Sequence, residues 1–451
     1  MGQKFYLETF GCQMNVVDSE QIAALLADLG FCAASSAEEA DLIILNTCSI
    51  REKAERKVVG HLWRFKPLKE ANPELVIAVG GCVAQQEGER LLQRLPHVDL
   101  VFGTHNIHRL PELLRRVRRQ RERIAEVAFL DRETRLALFP ERRSTGEVVR
   151  YVTVMQGCDN FCTYCVVPHV RGREISRPSG AVLAEVGRLV GSGVREVTLI
   201  GQNVNSYGGN TPGELSFAEL LAAVHDIPAL ERVRFVTSHP KDISQRLIDC
   251  YATLPRLCRH IHLPLQSGSD RVLREMRRGY TAADYLDKVA RLRSACPEIR
   301  FTSDIIVGFP GETEADFLDT LAVVQEVGYA DIYTFLYSPR PGTQAPLRSD
   351  GLSPEVQQER FDRLLELQER IGPAIWRQDV GRTLPLLVEG ESRQGGGQLF
   401  GRTTWGRIVN FAGGRELIGQ VIPVTITASY RNSQLGEYWE SNASVRCYGQ
   451  G

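Results

Sequence analysis

No apolar run in this chain approaches the roughly 20 consecutive residues that a membrane-spanning helix needs, which excludes a helical membrane span. Charge of one sign is absent too. The formal net charge is −1 over 451 residues, so no global field draws in nucleic acid and any RNA contact has to come from local patches. Lysine is scarce, and arginine carries most of the positive charge. Arginine suits phosphate and base recognition, but genomic base composition is the favoured reading of the overall bias. The opening residues, Met1-Gly-Gln-Lys-Phe-Tyr-Leu-Glu-Thr-Phe, lack the order of a signal peptide and read as a strand. The 11 cysteines, an odd number spread over a long chain, do not form the pattern of a disulfide framework. A reducing, cytoplasmic compartment is therefore expected. The remainder is ordinary for a folded protein, with 43% hydrophobic and 24% charged residues. The length predicts two to four domains.

Against this background one segment stands out, Cys158-Asp-Asn-Phe-Cys162-Thr-Tyr-Cys165. Three thiolates on one short loop can hold three irons of a four-iron cluster. The fourth iron then has no protein ligand and is free to bind and reduce a small molecule. Zinc is the alternative, but zinc sites usually join a C-x2-C pair to a second such pair or to histidines, and none follows here.

From Lys4 to about Arg119, strand-like and helix-like stretches alternate. Predicted strands are Phe5 to Phe10, Asp41 to Leu45, Leu75 to Val79 and Val98 to Phe102. Helices are predicted from Ser19 to Leu29, with Asp18 or Ser19 as the cap, and from about Arg51 to Ala71. Alternation of this kind predicts a parallel sheet with helices on both faces. Cys12, Cys48 and Cys82 each follow one of the first three strands. Ligands bind outside the carboxyl ends of such strands, so these cysteines should converge there and hold a second cluster, again with an open iron. Free cysteines are otherwise common small buried hydrophobes, and that reading suits Cys32, Cys250, Cys258 and Cys296. The arginine-rich run from Arg109 to Arg123 has two readings of equal weight, a solvated helix face or a phosphate-contacting helix.

From about Arg150 to Pro373 the alternation restarts. Strands are predicted at Tyr151–Gln156, Glu196–Gly201, Val233–Thr237, His260–Leu265, Ile299–Val307 and Asp331–Tyr337, with helices between them. Six such units fit a partial β/α barrel, whose active site lies on the loops after the strands. The cysteine triple follows the first strand. Gln202-Asn203, Ser238-His239-Pro240, Gln266-Ser267-Gly268 and Gly308-Phe309-Pro310-Gly311-Glu312 follow the next four. A lone His239 is more often structural than catalytic. After about Ile375 the helices stop, and short strands at Thr383–Glu389, Leu399–Asn410 and Gln420–Ser429 predict a small β-barrel of the kind that binds oligonucleotides. Arg393, Arg402, Arg407 and Arg431 with Trp405, Phe411 and Tyr430 offer charge and stacking surfaces. An ordinary β-domain with an aromatic core is the other reading.

Over nearly its whole length the chain resembles the radical S-adenosylmethionine (SAM) methylthiotransferase family. The matching segments are Thr-Phe-Gly-Cys12-Gln-Met-Asn, Asn-Thr-Cys48-Ser-Ile-Arg, Gly-Gly-Cys82-Val-Ala-Gln, the triple at Cys158, Cys162 and Cys165, Arg171-Gly-Arg-Glu-Ile-Ser-Arg177, Thr237-Ser-His-Pro240 and Asp304-Ile-Ile-Val-Gly-Phe-Pro-Gly-Glu312. Gly-Cys-Gln-Met-Asn at the first cysteine resembles the tRNA branch, where the ribosomal-protein branch has Gly-Cys-Pro-Lys-Asn. One departure is Asn432-Ser-Gln-Leu-Gly436, where the family has Asn-Ser-Leu-x-Gly. It touches only fine RNA contacts.

The resemblance implies three domains: an amino-terminal one at residues 3–119 binding an auxiliary cluster, a radical SAM core at 144–374 and a carboxyl-terminal TRAM domain at 377–443. It implies two 4Fe-4S clusters, about eight irons per chain. The first lies on Cys158, Cys162 and Cys165, where SAM is bound and cleaved to methionine and a 5′-deoxyadenosyl radical. That radical takes the hydrogen from carbon 2 of N(6)-dimethylallyladenosine, just 3′ of the anticodon. The second lies on Cys12, Cys48 and Cys82 and carries the sulfur, which a second SAM methylates before transfer. Tyr164, Gln202, Asn203 and Gly308 are the candidate SAM contacts, the last three by position alone. The implied partner is a tRNA anticodon stem-loop, with no membrane. The electron donor, sulfur source and oligomeric state are left open, a monomer being compatible. Two alternatives stand beside this reading: a methylthiotransferase acting on threonylcarbamoyladenosine or on a ribosomal protein, and a non-enzymatic, metal-stabilised RNA-binding protein.

Overall fold

A computed structural model describes residues 2–49, 52–139, 146–345, 351–393 and 395–439. Arg51 and the outer bounds 144 and 443 of the expected domains lie outside the described residues. The first region runs β1 (Lys4–Thr9), α1 (Gln13–Asp28), β2 (Cys32–Ala33), β3 (Leu42–Thr47), α2 (Glu52–Ala71), β4 (Val76–Gly81), α3 (Cys82–Glu87), α4 (Glu89–Arg94), β5 (Leu100–Phe102), α5 (Leu110–Gln120), β6 (Ile124–Glu126) and α6 (Arg132–Ala137). Its strands form one parallel sheet in the order β2-β1-β3-β4-β5-β6. Every residue of β3 and β4 is buried, as strands covered on both faces require. Two apolar cores flank the sheet, one around Ile22, Leu26 and Leu113, the other around Val58, Leu62 and Leu91.

Two sequence expectations need correction in this region. The sheet carries two short edge strands, β2 and β6, that the apolar pattern is too brief to reveal. Helix α1 starts at Gln13, so Asp18 and Ser19 lie inside it and Cys12 is its N-cap residue. These two polar residues resembled a cap because they interrupt the apolar pattern. In the fold both are buried and bonded, Ser19 to Thr9 and Asn46, Asp18 to Arg171. Cys32 is exposed, contrary to the buried role expected of it, whereas Cys250, Cys258 and Cys296 are buried.

The second region holds β7 (Val149–Thr153), β8 (Met155–Gln156), α7 (Val167–Arg171), β9 (Ile175–Ser176), α8 (Ser179–Gly191), β10 (Glu196–Ile200), α9 (Phe217–His225), β11 (Arg232–Phe235), α10 (Gln245–Thr253), β12 (His260–His262), α11 (Asp270–Glu275), α12 (Ala282–Ala295), β13 (Arg300–Val307), α13 (Glu314–Val327), β14 (Asp331–Leu336) and α14 (Pro354–Arg377). Parallel sheets β7-β10-β11 and β12-β13-β14 meet through a bridge between Val233 and Leu257. Together they make the six-stranded partial barrel that the alternation predicts. Val197, Leu199, Val233 and Phe235 face the helices in the largest core. The alternate residues of these strands are polar and pair with one another, Arg234 with Glu196 and His262 with Asp304. The stretch predicted as one strand to Gln156 is two. β8 turns away to pair antiparallel with β9, which pins the base of the segment 157–174.

The third region is a closed five-stranded barrel, β15 (Thr383–Glu391), β16 (Gln398–Arg402), β17 (Ile408–Ala412), β19 (Gln434–Glu437) and β18 (Val421–Ser429) in spatial order. The single strand expected from Leu399 to Asn410 is split by a turn at Thr403–Gly406, which docks on the larger barrel. There Arg300 forms a bidentate pair with Asp379 at 2.8 and 2.5 Å and stacks between Trp376 and Trp405. Arg232 donates to the carbonyls of Arg402 and Pro385. Because Arg232 and Arg300 open their strands, the small barrel sits at the amino-terminal end of the large one, away from the cysteine loop. Among the described residues no helix is long and apolar enough to cross a membrane.

Candidate metal centres and the cavity beside them

Cys12, Cys48 and Cys82 sit at the carboxyl ends of β1, β3 and β4, three neighbouring strands. The approach is close: a Cβ on Gly11 would lie 2.3 Å from the Cys48 Cβ. A buried amide lattice fixes the edge. Asn15 Nδ2 donates to the Thr47 carbonyl at 2.9 Å, and Asn46 Nδ2 donates to the Asn15 carbonyl at 2.9 Å. Cys12 Sγ donates to Asn15 Oδ1 at 3.4 Å. Hydrogen bonding from Cys48, with help from the charge of Arg171, brings the Cys12 thiol down to about 6. Burial pushes the Cys82 thiol up, and the charge of Arg171 opposes this.

The second triple lies on the segment pinned by β8 and β9. Cys158 N–H donates to the Gly172 carbonyl at 3.2 Å and Cys165 N–H to the Cys162 carbonyl at 3.0 Å. Thr163 ties the loop to the barrel, donating to the carbonyls of Met276 and Glu275. Arg278 is buried beside it, with Nη1 3.4 Å from Cys162 Sγ, Nε on the Tyr280 hydroxyl and Nη2 on the Pro264 carbonyl. Gly157 opens the loop at φ +80°, and a Cβ there would lie 2.2 Å from the Arg173 carbonyl oxygen. Its N–H is taken by Gln202 Oε1 at 2.5 Å. Burial pushes the Cys158 thiol up to about 11 and the Cys165 thiol up to about 12, the neighbouring thiols adding to both. Metal binding deprotonates such groups.

Among the described residues no three His, Cys, Asp or Glu side chains are placed to hold a single metal ion. A four-iron cluster asks for cysteine thiolates on its separate irons. Each triple offers three thiols with a buried guanidinium against them, and that donor set fits a cluster.

Beside the second triple lies a cavity of about 590 Å3, a size usual for small-molecule sites, walled in part by Asp159, Asn160, Glu174, Asn203, Ser206 and Asp242. Asn203 Nδ2 donates to Asp242 Oδ2 at 2.7 Å, while its Oδ1 is buried without a partner. Glu174 accepts from Ser206 Oγ at 2.8 Å, and burial pushes its carboxyl up to about 7. Of the four expected SAM contacts only Asn203 lines this cavity. Gln202 supports the cysteine loop, Tyr164 packs among Val272, Met276 and Phe309, and the Gly308 carbonyl accepts from Gln357. His239 is buried, accepts from the Lys241 N–H, and burial pushes its pKa down, which matches a structural role. A second cavity of about 640 Å3 shares Asp159 and Glu174 and is also lined by His105 and Phe129.

Helix α7, which begins two residues after Cys165, joins the two triples. Cys82 packs on Val166 and Val170, the helix accepts from Thr104 Oγ1, and Arg171 pairs with Asp18. Sequence reasoning named no role for Arg171, Glu174 or Arg278, and gave Asp18 only that of a helix cap. The quoted segment Arg171-Gly-Arg-Glu-Ile-Ser-Arg177 contained the signal for two of them.

The expected RNA surface needs correction. Trp405 is 5% exposed, Phe411 0% and Arg407 6%, so they build the core and the docking face. Tyr430, at 60%, is exposed, as are Arg393 and Arg431. Gln434, the departure from the family pattern, is buried and donates to Asp379 and to the Trp376 carbonyl. In the run from Arg109 to Arg123, Arg109 pairs with Glu112 and Glu126, Arg116 with Glu122 and Arg121 with Glu74, which fits a self-satisfied helix face.

Residues 4–103 match the Uncharacterized protein family UPF0004, residues 152–324 the Radical SAM superfamily and residues 377–438 the TRAM domain. The chain is similar to the tRNA-2-methylthio-N(6)-dimethylallyladenosine synthase of Syntrophotalea carbinolica, 60% identical over 435 residues, 96% of this chain and 99% of that one. Proteins of the same name from Geobacter sulfurreducens and Geotalea uraniireducens are 59% and 57% identical, over 98% and 96% of this chain and 98% of each relative. Among solved structures, the radical S-adenosylmethionine methyltransferase TsrM from Kitasatospora setae, with cobalamin and a 4Fe-4S cluster bound, shares the fold. Its TM-score is 0.55 at 15% identity, over 88% of this chain and 78% of that one.

Proposed function

This chain belongs to the family of tRNA-2-methylthio-N(6)-dimethylallyladenosine synthases, and we propose from that premise that it places a methylthio group on carbon 2 of N(6)-dimethylallyladenosine beside the anticodon of tRNA. The observation that carries the reading is that Cys82 of one cysteine triple packs on α7, the short helix that begins two residues after the other triple. An aromatic C–H bond at that carbon offers no acidic proton, so positioned acids and bases alone do not suffice. Two 4Fe-4S clusters and SAM, when bound, supply the one-electron chemistry and the sulfur.

Cys158, Cys162 and Cys165 would hold one cluster, and Cys12, Cys48 and Cys82 the other. Three cysteines apiece leave one iron of each cluster open. Arg278 and Arg171 offset the negative charge gathered there. Gln202 holds the start of the cysteine loop through the Gly157 N–H, and in the neighbouring cavity Asn203, Glu174 and Asp242 offer acceptors to the hydroxyl and ammonium groups of SAM. We assign residues 3–119 to the auxiliary cluster, 144–374 to the radical core and 377–443 to RNA, with exposed Tyr430 and Arg431 toward the strand. The target adenosine sits in a single-stranded loop, from which a base is readily splayed out. A cytoplasmic setting keeps the six thiols reduced.

The test is nucleoside mass spectrometry on dimethylallyladenosine-containing tRNA incubated anaerobically with reconstituted protein, SAM, sulfide and a strong reductant. The expected product is heavier by one methylthio group in place of hydrogen. Formation of 5′-deoxyadenosine without that product would move the substrate to threonylcarbamoyladenosine or a ribosomal protein. Neither product, with both clusters verified, would leave an RNA-binding protein.

A further inference from the structure

Arg171 ends α7 in the barrel domain, yet its side chain points into the amino-terminal domain. Its Nη2 lies 2.6 Å from Asp18 Oδ2, a partner 153 positions away in the chain, and both side chains are only 5% exposed. Val170, the residue before it, packs on Cys82, and the guanidinium acts by charge on the thiols of Cys82 and Cys12. The backbone that carries it is pinned from the other side. The Arg171 carbonyl lies 3.1 Å from His105 Nε2 and accepts from Arg135 Nη2 at 3.2 Å, and the Val170 carbonyl accepts from Thr104 Oγ1 at 2.6 Å. A positive charge carried by the barrel domain is therefore held at a fixed place beside the first cysteine triple by contacts from the amino-terminal domain.

We propose that Arg171 is a positioning residue for the cluster on Cys12, Cys48 and Cys82, and that the Arg171–Asp18 pair sets how readily that cluster accepts an electron. The inference rests on the reading that those three cysteines hold a cluster. Net charge and hydrogen bonds to the sulfurs set the potential of an iron–sulfur centre. A guanidinium against the thiolates favours the added electron, and the Asp18 carboxylate behind it opposes that effect. Burial keeps water from screening either charge. Arg278 shows the contrast. It touches Cys162 Sγ at 3.4 Å, but its other hydrogen-bond partners are the Tyr280 hydroxyl and the Pro264 carbonyl, and among the described residues no carboxylate pairs with it. The carboxylate is thus a feature of the first triple.

The experiment uses the whole chain carrying Cys158→Ala, Cys162→Ala and Cys165→Ala, so that one cluster remains after anaerobic reconstitution. Iron is counted, and the midpoint potential is read from the EPR signal during a redox titration. The parent should hold about four irons. Arg171→Gln should shift the midpoint down, Asp18→Asn should shift it up, and Arg171→Lys, which keeps the cation, should stay near the parent. A merely structural pair would lower iron content in both variants without moving the potential of what remains. Shifts of the same sign, or none, in Arg171→Gln and Asp18→Asn overturn the proposal. Should Arg171→Gln take up no iron, Asp18→Asn measured against Arg171→Lys decides, and an unmoved midpoint there also overturns it. A parent that takes up no iron overturns the cluster reading itself and this inference with it.

Discussion

Glu174 shows what a single buried group does to this molecule. Its carboxyl is pushed from the ordinary 4.5 up to about 7 because burial disfavours the charged form. Between those two values the folded protein keeps a proton that the unfolded chain gives up. Stability therefore falls as pH rises through that window and stays lowered above it. Glu174→Gln keeps the uncharged shape and removes the titration. Its gain in thermal midpoint over the parent should be larger, by a few degrees, at about pH 8 than at about pH 6; an equal gain at both would show that Glu174 titrates normally. At this scale the sequence was legible wherever one residue type has one chemistry. That six cysteines fall into two groups, one on a loop and one at the ends of three neighbouring strands, could be read from spacing and topological position. Arg171, Asp18 and Arg278 could not, because an arginine declares no partner and the partner of Arg171 lies 153 residues away. Trp405 and Arg407 misled for the related reason that aromatic and cationic residues serve a stacking surface and a domain contact equally well.

Among the elements, the loop from Gly157 to Glu174 is the one on which the chemistry depends. The β8–β9 pair closes its base, and a left-handed glycine opens it. Gly157→Ala would add about 1–3 kcal/mol of backbone strain, on top of a Cβ 2.2 Å from the Arg173 oxygen. Iron counting after reconstitution should find a fall from about eight to about four per chain, with the auxiliary cluster retained; a full complement of iron would show that the loop tolerates the change. Strand and helix periodicity placed the six barrel strands to within a few residues, since each alternates with a helix that shows its own pattern. It missed β2, β6, β9 and β19, of two to four residues, which exist because a neighbouring strand supplies their hydrogen bonds. It started α1 late because polar residues that are buried by partners far along the chain look, in one dimension, like residues at a helix end.

Across the whole molecule, buried arginines fasten the domains. Arg171 and Arg150 reach the amino-terminal domain, and Arg232, Arg234 and Arg300 hold the small β-barrel. The Arg300–Asp379 pair is closely enclosed, with Asp379 fully buried and the guanidinium between two tryptophans. Asp379→Asn leaves that cation without its counter-charge and should cost about 3–5 kcal/mol. The expected result in denaturant is early release of the carboxyl-terminal barrel, read by tryptophan fluorescence, while the iron content stays whole. Coincident loss of fluorescence signal and iron would show that the barrel and the clusters unfold together.

The order of strands and helices, three regions and two cysteine triples follow from the sequence by itself, since periodicity and ligand chemistry are local properties that one chain displays position by position. That the triples share α7, that a carboxylate from one domain holds an arginine of another against Cys82, and that the small barrel docks at the end remote from the cysteines were decided only by tertiary structure. The physical reason is that such contacts depend on which faces are buried together, and burial joins residues that sequence order keeps far apart.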